Sequence, residues 1–287
     1  MVRIGVVFPQ TEIGNDPAVI RDFAQTSEGL GYSHVLAFDH VLGAGREHRP
    51  DWRGPYDADT PFHEPLVLFG YLAGLTERVE LVTGVLVLPQ RQAALVAKQA
   101  AEVDVLSRGR TRLGVGVGWN DVEYDALGEN FHDRGRRIEE QIQLMRALWT
   151  EQVVDFDGKW HHIPEAGINP LPVQRPIPIW LGGHADVVLR RVAAMGDGWF
   201  PQMPPGEQAR AALDKIRRHA VDIGRDPSEI GIEARVGVRH GEPERWPELV
   251  AAWRELGATH LAINTMGLGL TGAEHIGAIT TFRDLAD

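Results

Sequence analysis

Along this chain, short apolar runs alternate with stretches in which apolar side chains return every three or four residues, the periods of strand and helix. Val2 to Phe8 is an apolar run stopped by Pro9 and predicts a strand buried on both faces. Asp16-Pro17 then supplies an N-cap and a first-turn proline, and Ile20, Phe23, Ala24 and Leu30 keep helical spacing up to Gly31. Val35 to Phe38 is a second strand, ending in Asp39-His40. The alternation continues with helix 64–75, strand 79–88 carrying Gly84 inside it, helix 92–106, a strand within 111–119, and helix 134–149. Strands 179–181, 198–201, 230–238 and 260–264 follow, each leading into a helix, over 185–195, 206–223, 243–256 and 272–285.

Four stretches break the pattern. Residues 43–63 hold glycines, prolines and the rings of Trp52, Tyr56 and Phe62, and predict a long functional loop leaving a strand end. Residues 120–133 read as a polar loop, 153–163 as a β-hairpin inserted around Asp157-Gly158, and 170–178 as a proline-rich connector. Eight strand–helix pairs over residues 1–287 predict one domain, an α/β fold of the eight-stranded TIM type. In such a barrel the site gathers at the C-terminal strand ends.

The most unusual of those ends is Thr111-Arg-Leu-Gly-Val-Gly-Val-Gly-Trp119. Three alternating glycines clear one face of a strand, so either a neighbouring element or a ligand must approach that backbone. The spacing excludes a dinucleotide fingerprint, which needs G-x-G-x-x-G and a helix starting at once. Thr83-Gly84-Val85 has the make-up of a bulge. Gly182-Gly183-His184 precedes a helix and could present free N–H groups to a phosphate, or simply form a tight turn. Asp39-His40 places a carboxylate beside an imidazole, a pair able to orient a ring or move a proton, or merely to begin the loop.

Composition narrows the chemistry. With 29 Lys and Arg against 40 Asp and Glu, the net charge of -11 argues against nucleic acid as a partner. No cysteine is present, which removes disulfides, thiolate nucleophiles and iron–sulfur ligation and points to a reducing, cytoplasmic setting. No apolar run approaches the ~20 residues that span a bilayer, and the first residues do not read as a signal peptide. The histidines lack metal-ligand spacing, so no metal is expected, and no serine sits in a nucleophile elbow.

Taken together, the motifs resemble the bacterial luciferase-like monooxygenase superfamily, and within it the deazaflavin-dependent oxidoreductases. The likeness is carried by Ala37-Phe-Asp-His40, Thr83-Gly-Val-Leu-Val-Leu-Pro89, Ala97-Lys-Gln-Ala-Ala-Glu-Val-Asp-Val-Leu-Ser-Arg-Gly-Arg110 leading into Gly114-Val-Gly-Val-Gly-Trp119, Arg146-Ala-Leu-Trp149 and Pro178-Ile-Trp-Leu-Gly-Gly183. The resemblance implies a flavin-type ring at the strand ends, backed by a bulge with a non-prolyl cis peptide at Gly84-Val85, beside Thr83. It implies further that Asp39 and His40 lie near the ring, with His40 managing a proton, and that Gly116, Val117, Gly118, Trp119, Gly182, Gly183 and His184 meet the phosphate tail. Phe8, Trp52, Tyr56, Arg235 and Asn264 are expected to line the substrate pocket. The implied cofactor is coenzyme F-420, because FMN enzymes of the superfamily tend to carry an arginine where this chain has Val117. FMN with a partner reductase is the alternative, a non-catalytic flavin-binding barrel the third reading, and a homodimer the implied assembly.

Overall fold

The computed structural model describes residues 2–47, 49–240 and 242–283. Its elements are β1 (Arg3–Val7), α1 (Pro17–Gly29), β2 (His34–Ala37), α2 (Pro65–Ala73), β3 (Glu80–Thr83), β4 (Leu86–Val87), α3 (Ala93–Leu106), β5 (Thr111–Gly116), α4 (Asp121–Ala126) and α5 (Arg134–Thr150). They continue as β6 (Val154–Asp157), β7 (His162–Ala166), β8 (Ile179–Gly182), α6 (Asp186–Met195), β9 (Gly198–Phe200), α7 (Glu207–Asp222), β10 (Gly231–Gly237), α8 (Trp246–Glu255), β11 (His260–Asn264) and α9 (Gly272–Arg283). Eight parallel strands run β1-β2-β3-β5-β8-β9-β10-β11, and the β1–β11 and β3–β5 pairings close them into a TIM-type barrel. The strand β4 continues β3 past a bulge and pairs with β5, while β6 and β7 form the expected antiparallel hairpin outside the barrel.

Local chemistry starts several helices where the sequence placed them. Asp16 accepts from the Ala18 N–H with Pro17 behind it, and Glu64 accepts from the Val67 N–H with Pro65 behind it. Two expectations change. Residues 120–133 are not all loop, because Asn120 caps the six-residue helix α4 by accepting from the Glu123 N–H. The strand expected over 79–88 is divided: β3 ends at Thr83, the Gly84–Val85 peptide is cis, and a 3₁₀ turn, Leu88–Gln90, follows β4. Of the helix expected over 272–285, the last two residues lie outside the described residues. Among the described residues no helix is long and apolar enough to cross a membrane.

The barrel interior is layered. Nearest the N-terminal strand ends lies an ionic layer. His34 Nε2 is 2.9 Å from Glu233 Oε1, Arg112 pairs with the other oxygen of Glu233, and Arg112 Nε is 3.3 Å from Glu80, which also meets Arg3 at 2.6 Å. Trp180 covers the Arg112 guanidinium at 4.4 Å, and the His260 ring stands edge-on to Trp180. Above this layer Val7, Leu36, Val82, Trp180, Phe200, Ala262 and Met266 make an apolar cluster, with Phe38 and Val85 packed on it.

The glycines of β5 belong to this interior. A Cβ on Gly114 would lie 1.9 Å from the Thr83 carbonyl oxygen, one on Gly116 2.6 Å from Val85 Cγ2, and one on Gly118 2.6 Å from Val87 Cγ1. Successive glycines thus receive successive inward residues of the bulged strand, and the element that approaches the cleared face is β3–β4. Because the Gly114 contact is backbone, Gly114→Ala is expected to lower stability by about 1–3 kcal/mol or more. Urea unfolding checks this, and a midpoint equal to that of the parent protein would overturn the packing account.

Candidate functional site

The three residues after β2 diverge. Phe38 turns inward onto the apolar cluster. Asp39 is buried, its Oδ2 accepting from the Val87 N–H at 2.8 Å and its Oδ1 from Arg91 at 2.6 Å, and Arg91 also reaches Glu64 at 2.9 Å. Asp39 therefore fastens β4 and its 3₁₀ turn to the end of β2. Both of its oxygens are committed away from His40, so the orienting carboxylate foreseen at Asp39 is supplied from elsewhere.

That carboxylate is Glu123, the third residue of α4. Its Oε2 is 3.3 Å from His40 Nδ1 and 3.0 Å from Gln90 Nε2, and its Oε1 accepts from the backbone N–H groups of Val41 and Leu42. Burial pushes the Glu123 carboxyl up, but the hydrogen bonds from His40, Val41, Gln90 and Leu42 outweigh it and hold the group below its ordinary value. An ionised carboxylate only accepts, so Nδ1 of His40 carries the hydrogen and Nε2 of the neutral ring is left as an acceptor. Sequence reasoning missed Glu123 by treating 120–133 as loop. The signal was there, since Asn120 followed by Glu123 has the spacing of a helix N-terminal capping box.

His40 is enclosed by rings, with Tyr56 at 5.1 Å, Phe62 at 4.9 Å and Trp119 at 5.6 Å between centroids. Trp52 packs on Trp119 at 5.6 Å and donates from Nε1 to the Tyr56 carbonyl, so the long loop folds down onto the β5 rim. A cavity of about 320 Å³ opens between this loop and the end of β2, lined by His40, Tyr56, Phe62, Thr60, Asn120 and their neighbours.

The barrel mouth at the end of β2 is floored by Phe38 and Val85, which pack on the apolar cluster. The Val85 side chain wedges between Gly116 and Gly182, each of which would place a Cβ under 3 Å from it, and this fixes it as an apolar platform. Thr83 donates its hydroxyl to the Gly114 carbonyl and is consumed in the wall. On the rim, the Val117 carbonyl accepts from Tyr124 at 2.7 Å, and Gly118 has a left-handed φ of 66°. Gly182 ends β8, Gly183 and exposed His184 follow, and α6 begins behind Ala185 with no side-chain cap, so its first N–H groups can meet an anion. The first turn of α6 carries Asp186, paired with Arg190 and Lys215, whereas the N-terminus of α4 is itself taken by the Asn120 cap.

Of the expected pocket residues, Phe8 does not reach the mouth. It is fully buried against Phe23 and His63 in the core behind the barrel wall, because Val7 takes the inward position and successive strand residues alternate. Arg235 and Asn264 stand at the upper ends of β10 and β11, Arg235 with its guanidinium 5.3 Å from the Phe38 ring. A flat ring with an apolar face fits the Phe38–Val85 floor, and a phosphate fits the uncapped start of α6. Among the described residues no cluster of His, Asp or Glu is arranged to hold a metal ion.

Known proteins resemble this chain closely in fold and in part in sequence. Residues 3–280 match the family described as luciferase-like monooxygenase. An uncharacterised protein of Mycobacterium tuberculosis is 34% identical over 231 residues, covering 78% of this chain and 80% of that protein. The FMNH(2)-dependent dimethylsulfone monooxygenase of Pseudomonas putida is 30% identical over 228 residues, 78% of this chain and 59% of its own length. The solved structure of a coenzyme F-420-dependent secondary alcohol dehydrogenase, in complex with an F-420–acetone adduct, superposes with a TM-score of 0.77 at 16% identity over 99% of this chain and 98% of its own.

Proposed function

The chain belongs to the luciferase-like monooxygenase family, and from that premise we propose that it is an oxidoreductase holding a flavin-type ring on the Val85 platform, with the deazaflavin coenzyme F-420 as its hydride carrier. The observation that carries this reading is the conjunction of an apolar floor, Phe38 with Val85 of the cis Gly84–Val85 bulge, and one oriented imidazole, His40, two residues beyond Phe38 at the same strand ends. When bound, the cofactor supplies or accepts hydride. The protein's own task is then to support the ring, present the substrate to its open face, handle one proton and keep water out.

Val85 and Phe38 support the ring. His40 takes or gives the proton at Nε2, while Glu123 fixes the tautomer and steadies the charge that appears on the imidazole. Trp52, Tyr56 and Phe62 cover the site and exclude water. The Gly182-Gly183-His184 turn and the start of α6 receive the phosphate, with the Gly116–Trp119 rim alongside. Val117 offers the phosphate no cation, which favours the deazaflavin.

FMN is the second reading, favoured by the Pseudomonas putida relative, whose name makes it FMNH(2)-dependent; a partner reductase would then supply reduced flavin. Titrating the purified protein with each cofactor separates the two. Quenching of deazaflavin fluorescence at an affinity at least ~10-fold tighter than that for FMN is expected. Tight FMN binding with none for the deazaflavin would move the protein to the monooxygenase reading.

A further inference from the structure

The ionic layer of the barrel balances itself: Arg3 and Arg112 face Glu80 and Glu233. Arg235 lies two residues above Glu233 on the same inward face of β10, paired in register with Ala262 of the apolar cluster. Both oxygens of Glu233 are already held by His34 and Arg112. Among the described residues, no carboxylate, carbonyl or hydroxyl accepts a hydrogen bond from the Arg235 guanidinium, which rests only over the Phe38 ring. The other charged or titratable groups acting on it, besides Glu233, are Arg239, His240 and Tyr56, and burial followed by Arg235 and Arg239 pushes His240 down, so it offers no counter-charge. A half-buried cation without a partner is costly, and mutational experience is that such groups are paired or hold a ligand.

Its position says which ligand. In the closed strand order, three strands separate β10 from β3 in either direction, which puts it directly across the barrel from the Val85 platform. Resting on the reading that the cofactor ring lies against Val85, the guanidinium looks at the open face of that ring, where the substrate must sit. We propose that Arg235 anchors an oxyanion on the substrate, so that the protein acts on small molecules bearing a carboxylate or sulfonate. The planar guanidinium fork matches both groups through two parallel N–H bonds. The Phe38 ring and the apolar cluster below it take the aliphatic part.

The test uses the full chain with size-matched probes: propionate and 1-propanesulfonate against propanamide and 1-propanol, read by calorimetric titration and thermal melting. Wild-type protein is expected to bind the two anions at least about tenfold more tightly than the neutral pair, and Arg235→Met to lose that preference while melting no lower than the parent, because no ion pair is broken. Arg235→Lys should keep the charge preference at reduced affinity. Equal binding of anions and amide, or anion preference surviving in Arg235→Met, overturns the proposal. Cofactor titration of Arg235→Met distinguishes the remaining cases. Unchanged cofactor affinity supports a substrate anchor, whereas a loss of about tenfold or more assigns the guanidinium to the ring and overturns it. Anion preference in a protein that binds neither cofactor supports the oxyanion site and rejects the cofactor reading on which its placement rests.

Discussion

Glu233→Gln is expected to cost the protein about 3–5 kcal/mol, the loss seen when one partner of a buried ion pair is removed and the other charge stays behind. Glu233 is fully buried and serves two groups at once, His34 and Arg112, while Arg112 retains only an oblique contact with Glu80. Against a typical domain stability of about 5–15 kcal/mol, such a loss is a large fraction of the whole. Replacing Glu233 and Arg112 together by methionine is expected to cost less than Glu233→Gln, because the charge and its partner leave together. Urea unfolding of the single and double variants decides it, and a single variant as stable as the parent would show that the layer contributes nothing.

The same layer makes the fold acid-sensitive. Burial pushes Glu233 up, but Arg112 and His34 outweigh it and hold the carboxyl far below its usual range. Its stabilisation is therefore complete above the unfolded value of about 4.3 and is lost as pH falls below it. Burial first, and then Arg112, push His260 down to about 3. The folded ring stays neutral while the unfolded chain takes up a proton below about 6.5, so stability declines as pH falls from about 6.5 towards 3. The unfolding midpoint is expected to drop between pH 7.5 and pH 5, before carboxylates titrate, and His260→Phe should flatten that part of the curve.

The second large effect is on turnover. His40→Asn should reduce the rate by roughly 10²–10⁴-fold, the usual worth of a positioned acid–base group, with cofactor affinity little changed. Glu123→Gln should lower the rate by a smaller factor and alter its pH profile, because the amide still holds the loop N–H groups but no longer offers a negative charge to Nδ1. A His40→Asn enzyme at full speed would remove the proton role. Tight cofactor binding by a wild-type protein that turns over none of a panel of carbonyl, alkene and sulfonate compounds would favour a barrel that stores the cofactor.

Much of this architecture was legible in the residues. The strand–helix alternation, the cap at Asp16-Pro17 and the hairpin around Asp157-Gly158 are local signals, and the structure keeps them. The bulge at Gly84-Val85 followed from family motifs, and the cis peptide is present. Partnerships across the chain were not legible. Asp39 and His40 are neighbours in sequence, yet the turn after β2 sends one to Arg91 and the other to Glu123, 83 positions away. Phe8 looked suited to a pocket, but strand alternation gave Val7 the inward place.

The glycines of β5 show the division most plainly. The sequence by itself determined that something approaches the backbone at Gly114, Gly116 and Gly118, since three missing side chains in alternation leave one face bare. Only the tertiary structure decided what it is: Thr83, Val85 and Val87 of the adjoining strand. It likewise decided that Arg235 is left without a counter-ion while Arg112, two strand residues deep in the same barrel, is paired. Periodicity and capping are read over a few residues, and so the chain states them outright. Charge balance depends on which groups the closed barrel brings face to face, and no local pattern encodes it.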